Sequence, residues 1–304
     1  EDPYLTTRLG VRFIKGLQGE GKYMKIAACA KHFAVHSGPE PLRHSFDAVV
    51  SEHDLWETYL PAFEWTVKAG VAGVMGAYNR TLGEPCCASK KLMQDILRGQ
   101  WKFDGYYVSD CWALSDICKF HHYTDTMEEA AALALKMGCN LNCGDTYTHL
   151  MEAYEMDLIT EEDITAAAEK LYEIRCLLGE FEEVRPYSDI PFDKLDCEEH
   201  RALNLTAAEE AMVLLKNEDN ILPLSKEDDV AFIGEFALKP RFQGGGSSHI
   251  NCFRKTSAVE AAEGMKVTYA QGYSVADDEA TDEMIAEAAK SEYKKGNACD
   301  YASL

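Results

Sequence analysis

The chain has 304 residues, about twice the size of an ordinary domain, which points to two domains or to one large α/β barrel. Lys and Arg number 30 against 52 Asp and Glu, and the formal charge of −22 repels nucleic-acid phosphates and anionic lipid surfaces, so neither is expected as a partner. A hydrophobic fraction of 46% marks a globular chain, no apolar run reaches the roughly 20 residues that cross a bilayer, and the 11 cysteines, odd in number and set in apolar segments at Cys29, Cys111, Cys139 and Cys176, read as buried free thiols of a reducing cytoplasm.

The chain opens Glu1-Asp2-Pro3-Tyr4, with no initiator Met and no leader pattern, so a fragment is expected. From residue 25 onward, short apolar runs with strand character recur at 25–33 (KIAACAKHF), 71–79 (VAGVMGAYN), 106–111 (YYVSDC) and 139–144 (CNLNCG). Helix punctuation lies between them. Ser51 stands three residues before Asp54, Ser89 opens a stretch closed by Gly99, and Thr126 stands three before Glu129. Near-continuous apolar strands separated by single helices imply a parallel sheet covered on both faces, and the last three recur at the size of one βα unit. That spacing favours a (β/α) barrel, with a doubly wound sheet as the alternative.

A helix is expected over 161–178, ending at Gly179. The acidic stretch that follows, with Pro186 and Pro191 and no period, reads as a linker. Beyond it the pattern gives a helix over 207–215, a strand over 230–236, a glycine loop Gly244-Gly245-Gly246-Ser247-Ser248, a strand over 266–270 and a helix over 282–290. The expected domains are therefore 1–180, a linker at 181–199, and 200–304. The fold class is α/β: an incomplete (β/α)8 TIM-type barrel, since a closed one needs about 250 residues, followed by the start of an α/β sandwich domain.

In such a barrel the reactive groups sit at the C-terminal ends of strands. That rule selects Lys31 and His32, Tyr78 and Asn79, Ser109 and Asp110, and Asn142. Asp110 stands out because it follows the apolar YYVS. A carboxylate there serves as nucleophile, metal ligand or general base, or else merely caps the next helix. Lys31 and His32 suit binding of neutral hydroxyls, or belong to a solvated surface. Arg43 is placed to clamp a ligand hydroxyl or a neighbouring carboxylate, and Tyr78 to touch a ligand or line a barrel rim.

The run KHFAVHSGPEPLRHSFDAVVSEHDLWETYLPAFEW, followed by VMGAYNRTLGEPCCASKKLMQDILRGQWKFDGYYVSDCWAL, resembles glycoside hydrolase family 3, and the resemblance resumes at AEEAMVLLKNEDNILPL. The family includes β-glucosidases and β-xylosidases. The resemblance implies a retaining hydrolase that releases terminal β-D-glucosyl or β-D-xylosyl residues from oligosaccharides or glycosides through a covalent glycosyl-enzyme. It implies Asp110 as nucleophile, Lys31, His32, Arg43 and Tyr78 as substrate contacts, and Met75 as a pocket-lining residue; Lys31 would keep Asp110 charged. No cofactor and no metal are implied.

The family's acid/base Glu comes from the second domain, and none of Glu40, Glu84, Asp116 and Asp145 sits in its motif. A non-catalytic sugar-binding fragment is thus an alternative. Another is a β-N-acetylglucosaminidase-like hydrolase with His36 as acid/base, although the partner Asp of that dyad is replaced by Ser37-Gly38-Pro39-Glu40. A Schiff-base lyase on Lys31 is a third. His32 and His36 lack a third ligand for zinc, and the glycine loop fits no phosphate-binding motif. Cys86, Cys87, Cys139 and Cys143 read as structural or incidental thiols.

Overall fold

The computed structural model describes residues 2–242 and 251–272, which divide between two compact units, 1–191 and 192–304. The first opens with helix α1 (Pro3–Gln18). Its start is written in the sequence: the Asp2 carboxylate accepts the amides of Tyr4 and Leu5, and Pro3 occupies the first turn, where its missing N–H has no partner to lose. Strand β1 (Cys29–Phe33) follows, then the two-residue strand β2 (Asp47–Ala48).

Ser51 caps α2 (Glu52–Asp54) as its spacing predicts, accepting the Asp54 amide at 3.0 Å. This turn widens into a π-helical run over Leu55–Tyr59 before α3 (Pro61–Lys68). Proline supplies the reason. Pro61 has no N–H to return to the preceding turn, and the Leu60 amide reaches back five residues to the Leu55 carbonyl instead. Strands β3 (Gly73–Gly76), β4 (Arg80–Thr81) and β5 (Glu84–Pro85) lead to a π-helix at Lys90–Gln100, capped by Ser89. Then come β6 (Tyr106–Ser109), α4 (Ala113–Lys119) and α5 (Met127–Met137), which opens on the predicted Thr126–Glu129 capping box. Helices α6 (Leu150–Glu155) and α7 (Glu161–Leu177) complete the unit, with Gly179 just past the last turn in the left-handed region.

The main sheet is parallel, in the order β1-β3-β6, and a parallel bridge from Val108 to Leu141 adds the predicted 139–144 segment as a fourth neighbour reduced to one pair. Chain order and spatial order coincide. A doubly wound sheet reverses direction at a switch point; the described strands do not, and they follow the sequence of a (β/α) barrel. The register aligns Phe33, Gly76 and Ser109 in one row at the C-terminal edge. The core packs Phe33 of that row, with Val74 and Tyr107, in one cluster with Leu92, Ile96, Leu97, Leu114, Ile117 and Ala134. β2, β4 and β5 form a separate small sheet beyond the edge.

Of the thiols expected inside, Cys139 is buried and Cys29 partly so, but Cys111 and Cys176 are exposed. Cys111 lies past the end of β6, and Cys176 lies in the last turn of α7.

The second unit carries α8 (Glu198–Ala211), β7 (Asp229–Ile233), α9 (Ala258–Ala261) and β8 (Lys266–Ala270), with β7 and β8 paired in parallel. Strand 266–270 matches the sequence reading. The helix expected over 207–215 instead runs over Glu198–Ala211, starting inside the expected linker, and Met212 turns to extended backbone. The apolar run Met212-Val213-Leu214-Leu215 carries no helical period and does not prolong it. The glycine loop 244–248 and the helix expected over 282–290 lie outside the described residues. No helix among the described residues is long and apolar enough to cross a membrane.

Gly76 lets the strands approach the core side chains closely. A Cβ at Gly76 would stand 2.5 Å from the Tyr107 hydroxyl and 2.6 Å from Cys87 Sγ, both in the buried core. Gly76→Ala is therefore expected to lower stability by about 1–3 kcal/mol, measured as the shift in urea midpoint at unchanged slope.

Candidate active site

The aligned row fixes what stands just beyond it. Asp110 follows Ser109 directly, Tyr78 lies two residues past Gly76, and His32 precedes Phe33 on β1. Three neighbouring strands thereby deliver three side chains to one point. His32 Nε2 lies 3.0 Å from Asp110 Oδ2, the Cys111 amide donates to Oδ1 at 2.7 Å, and the Tyr78 hydroxyl donates to the same carboxylate.

Asp110 is 9% exposed, and burial alone would push its carboxyl up. The three donors outweigh that effect and hold it below the ordinary carboxylate range. It is an anion. Burial and the facing carboxylate both raise the Tyr78 hydroxyl, which stays a proton donor. Helix α4 is capped at Trp112 and takes no side-chain cap, so the Asp110 carboxylate is not spent on a helix end.

His32, not Lys31, makes the direct side-chain contact with Asp110. Lys31 is exposed and lines a 520 Å³ cavity bounded by α1 and α3, together with Pro3, Phe13 and Phe63. The peptide bonds Lys31–His32 and Phe33–Ala34 are both cis. The Arg43 guanidinium pairs with Glu40 at 2.6 Å and lies 5.7 Å from the centre of the Tyr78 ring. Met75 sits in the middle of β3, opposite Val108 and half-buried.

His36 meets an amide rather than a carboxylate: its Nδ1 lies 2.9 Å from Asn79 Oδ1, and burial lowers its pKa. The dyad required of an acid/base histidine is therefore absent at His36. Asn79 is fully buried and donates to the Arg80 carbonyl at 2.7 Å, so it holds the loop that carries Tyr78. Glu84 accepts Ser89 Oγ at 2.6 Å, a role in the helix start. No group of three His, Cys, Asp or Glu side chains among the described residues is arranged to hold a metal ion.

Two partnerships escape the sequence. His44 Nδ1 meets the buried Asp116 Oδ2 at 2.7 Å across 72 positions, and its ring stands edge-on to Tyr78 with centroids 4.7 Å apart. Cys111 Sγ lies 2.7 Å from Cys143 Sγ, 32 positions away. Neither spacing repeats a known motif. The available signal was positional: Cys111 and Cys143 stand near the ends of two predicted strands, and His44 and Asp116 follow two of them.

Family comparison places this geometry. The model of the glycosyl hydrolase family 3 N-terminal domain matches residues 1–174, and that of the family's C-terminal domain matches residues 212–298. The chain belongs to glycoside hydrolase family 3. Among curated relatives, a xylan 1,4-β-xylosidase of Xylanibacter ruminicola is 42% identical over 77% of this chain and 28% of its own length. A thermostable β-glucosidase B of Acetivibrio thermocellus is 36% identical over 100% of this chain and 38% of its own. The chain thus spans about a third of the length of these relatives. Among solved structures, a family 3 exo-β-xylosidase in complex with a xylobiose aziridine probe superposes with a TM-score of 0.85 at 31% identity, covering 97% of this chain and 40% of that one. A β-glucosidase from Listeria innocua in complex with glucose gives 0.83 at 27% identity, covering 97% and 42%.

The Asp116 pair yields a prediction with a definite sign. Burial raises its carboxyl to about 6, against an ordinary value near 3.9, so the folded state favours the neutral acid. The stability this confers is full below pH ~3.9 and is lost as pH rises through about 6. Asp116→Asn removes the titration. Relative to the native chain, the variant is expected to gain about 2 kcal/mol between pH 4 and pH 7, read from urea unfolding at each pH.

Proposed function

We propose that this chain carries the nucleophile half of a retaining glycoside hydrolase acting on terminal β-D-xylosyl or β-D-glucosyl units of neutral oligosaccharides or glycosides. The observation that carries the reading is the charge state of Asp110: a nearly buried carboxylate kept anionic by His32, Tyr78 and the Cys111 amide, at the edge where parallel strands open. Family membership supports it, as does the similarity to a β-xylosidase and a β-glucosidase.

In this mechanism an Asp110 oxygen attacks the anomeric carbon while the leaving-group oxygen departs with a proton from an acid. The product is a glycosyl ester on Asp110, which water then cleaves with retention. Tyr78 and His32 restrain the carboxylate during attack. Lys31, Arg43 and Met75 are proposed as sugar contacts, with the Glu40 pair as the arrangement that a sugar hydroxyl would compete with at Arg43. The acid/base is expected from the second domain, as in the family, and is assigned to no residue described above. The organisation 1–180, 181–199 and 200–304 is proposed for the barrel, linker and sandwich segments. The charge of −22 suits an uncharged substrate, and a reducing cytoplasm suits the many free thiols.

A 2-deoxy-2-fluoro β-xyloside and β-glucoside with dinitrophenolate leaving groups test the reading, because such groups depart with little acid help. One of the two is expected to add one fluoroglycosyl unit to the peptide bearing Asp110, by mass spectrometry of the digested chain. Asp110→Ala is expected to abolish the adduct. Labelling of another carboxylate, or binding of the sugar without any adduct, would overturn it.

A further inference from the structure

Beyond the nucleophile the sheet edge carries a second reactive feature. Cys111 is exposed and Cys143 is half-buried, and their sulfurs approach to 2.7 Å. Among the described residues no other two thiols are in hydrogen-bond contact, although free cysteines are spread through the first unit. Backbone holds the two sides together. The Ser109 amide donates to the Leu141 carbonyl at 3.0 Å, the Cys143 amide to Ser109 Oγ at 2.9 Å, and the Trp112 amide to the Cys143 carbonyl at 2.6 Å. The sulfurs therefore meet because two adjacent strand ends are stitched above and below them, and the 2.7 Å contact has only to close to the roughly 2.05 Å of an S–S bond.

We infer that Cys111 and Cys143 form a reversible disulfide site, built on the same turn as Asp110 and coupled to its carboxylate. The coupling runs through one bond: the Cys111 amide donates to Asp110 Oδ1 at 2.7 Å. A link to Cys143 fixes that amide to the neighbouring loop.

The oxidant is a peroxide, and the steps balance. Exposed Cys111, as thiolate, attacks a peroxide oxygen and becomes a sulfenic acid, while the released hydroxide takes up a proton and leaves as water. The sulfur of Cys143 then displaces the sulfenic oxygen as a second water, closing the S–S bond and losing its own proton. Two electrons pass from the sulfurs to one hydrogen peroxide. The order follows from environment. Cys111 is exposed and Cys143 half-buried, and the contact with Cys111 together with burial pushes the Cys143 thiol up to about 11, so Cys111 is the thiol a peroxide reaches first.

The test uses the full chain in its native state. It is treated with hydrogen peroxide, its remaining thiols are blocked with iodoacetamide, and it is digested without reductant and mapped by mass spectrometry. A single dominant crosslink, Cys111 to Cys143, is expected, lost again on treatment with dithiothreitol. With Cys143→Ser or Cys111→Ser the crosslink is expected to vanish, and with the former a sulfenic acid should be trappable by dimedone at Cys111. If native chain retains both thiols, or crosslinks elsewhere, the site does not exist; this result needs no variant to fold.

Coupling is read with the fluoroglycoside that labels Asp110, an arm that rests on the proposed function. The bridged chain is expected to label about tenfold more slowly than the reduced chain, with recovery on reduction and no peroxide response in the Cys143→Ser variant. Equal rates would overturn the coupling. Failure of the reduced chain to label at all would instead count against the proposed function, while the crosslink map still decides the disulfide.

Discussion

One carboxylate organises the first unit. Taking Asp110 out of water opposes its ionisation, and the opposition is overcome only because His32, Tyr78 and the Cys111 amide converge on its two oxygens. Hydrogen bonds to a charged group contribute about 1.5–3 kcal/mol each, enough together to offset a partial desolvation. The donors arrive from three strands, so the contact is set by parallel register rather than by a local turn. A slip of one residue between β3 and β6 would carry Tyr78 away from the carboxylate and turn the side-chain alternation over.

Six residues downstream the same chemistry meets a different environment. Asp116 is 1% exposed and has His44 as its partner, and its carboxyl rises where that of Asp110 falls. Divergent pKa values in neighbouring carboxyls often mark a nucleophile and its acid. Here closure argues otherwise. An acid must reach the leaving-group oxygen, and Asp116 lies beneath the histidine that presses on the Tyr78 ring. Its contribution is to hold the wall of the site.

Much of this was legible in the residues because the signals are local. The strands at 73–76 and 106–109 follow from apolar runs ended by polar residues, and Ser51, Ser89, Thr126 and Thr160 cap their helices as spacing demands. Asp110 was findable for the same reason, as a charge placed directly after an apolar strand. Helix α1 was also legible, through Asp2 and Pro3, but its face mixes Arg8, Arg12 and Lys15 with apolar residues and is easily passed over beside the stronger strand pattern. The strands β2, β4 and β5 are two residues long and leave no period to read. Electrostatic roles were harder still. Lys31 and His32 are adjacent, and only the folded backbone of β1, irregular between Ala30 and Phe33, decides that the histidine turns to Asp110; the partners of His44 and Cys111 are set by tertiary placement alone.

The turn after Asp110 forces Trp112 into the left-handed region, at φ 68°, a conformation that costs a bulky residue roughly 1–2 kcal/mol. It is held from outside: the Trp112 amide is tied to the Cys143 carbonyl, and Gly144 leaves room, since a Cβ there would come within 3.3 Å of the tryptophan. Transplanting the segment around Asp110 onto another barrel would therefore bring a backbone that relaxes as soon as its companion loop is left behind. The smallest portable unit is the pair of loops, grafted together.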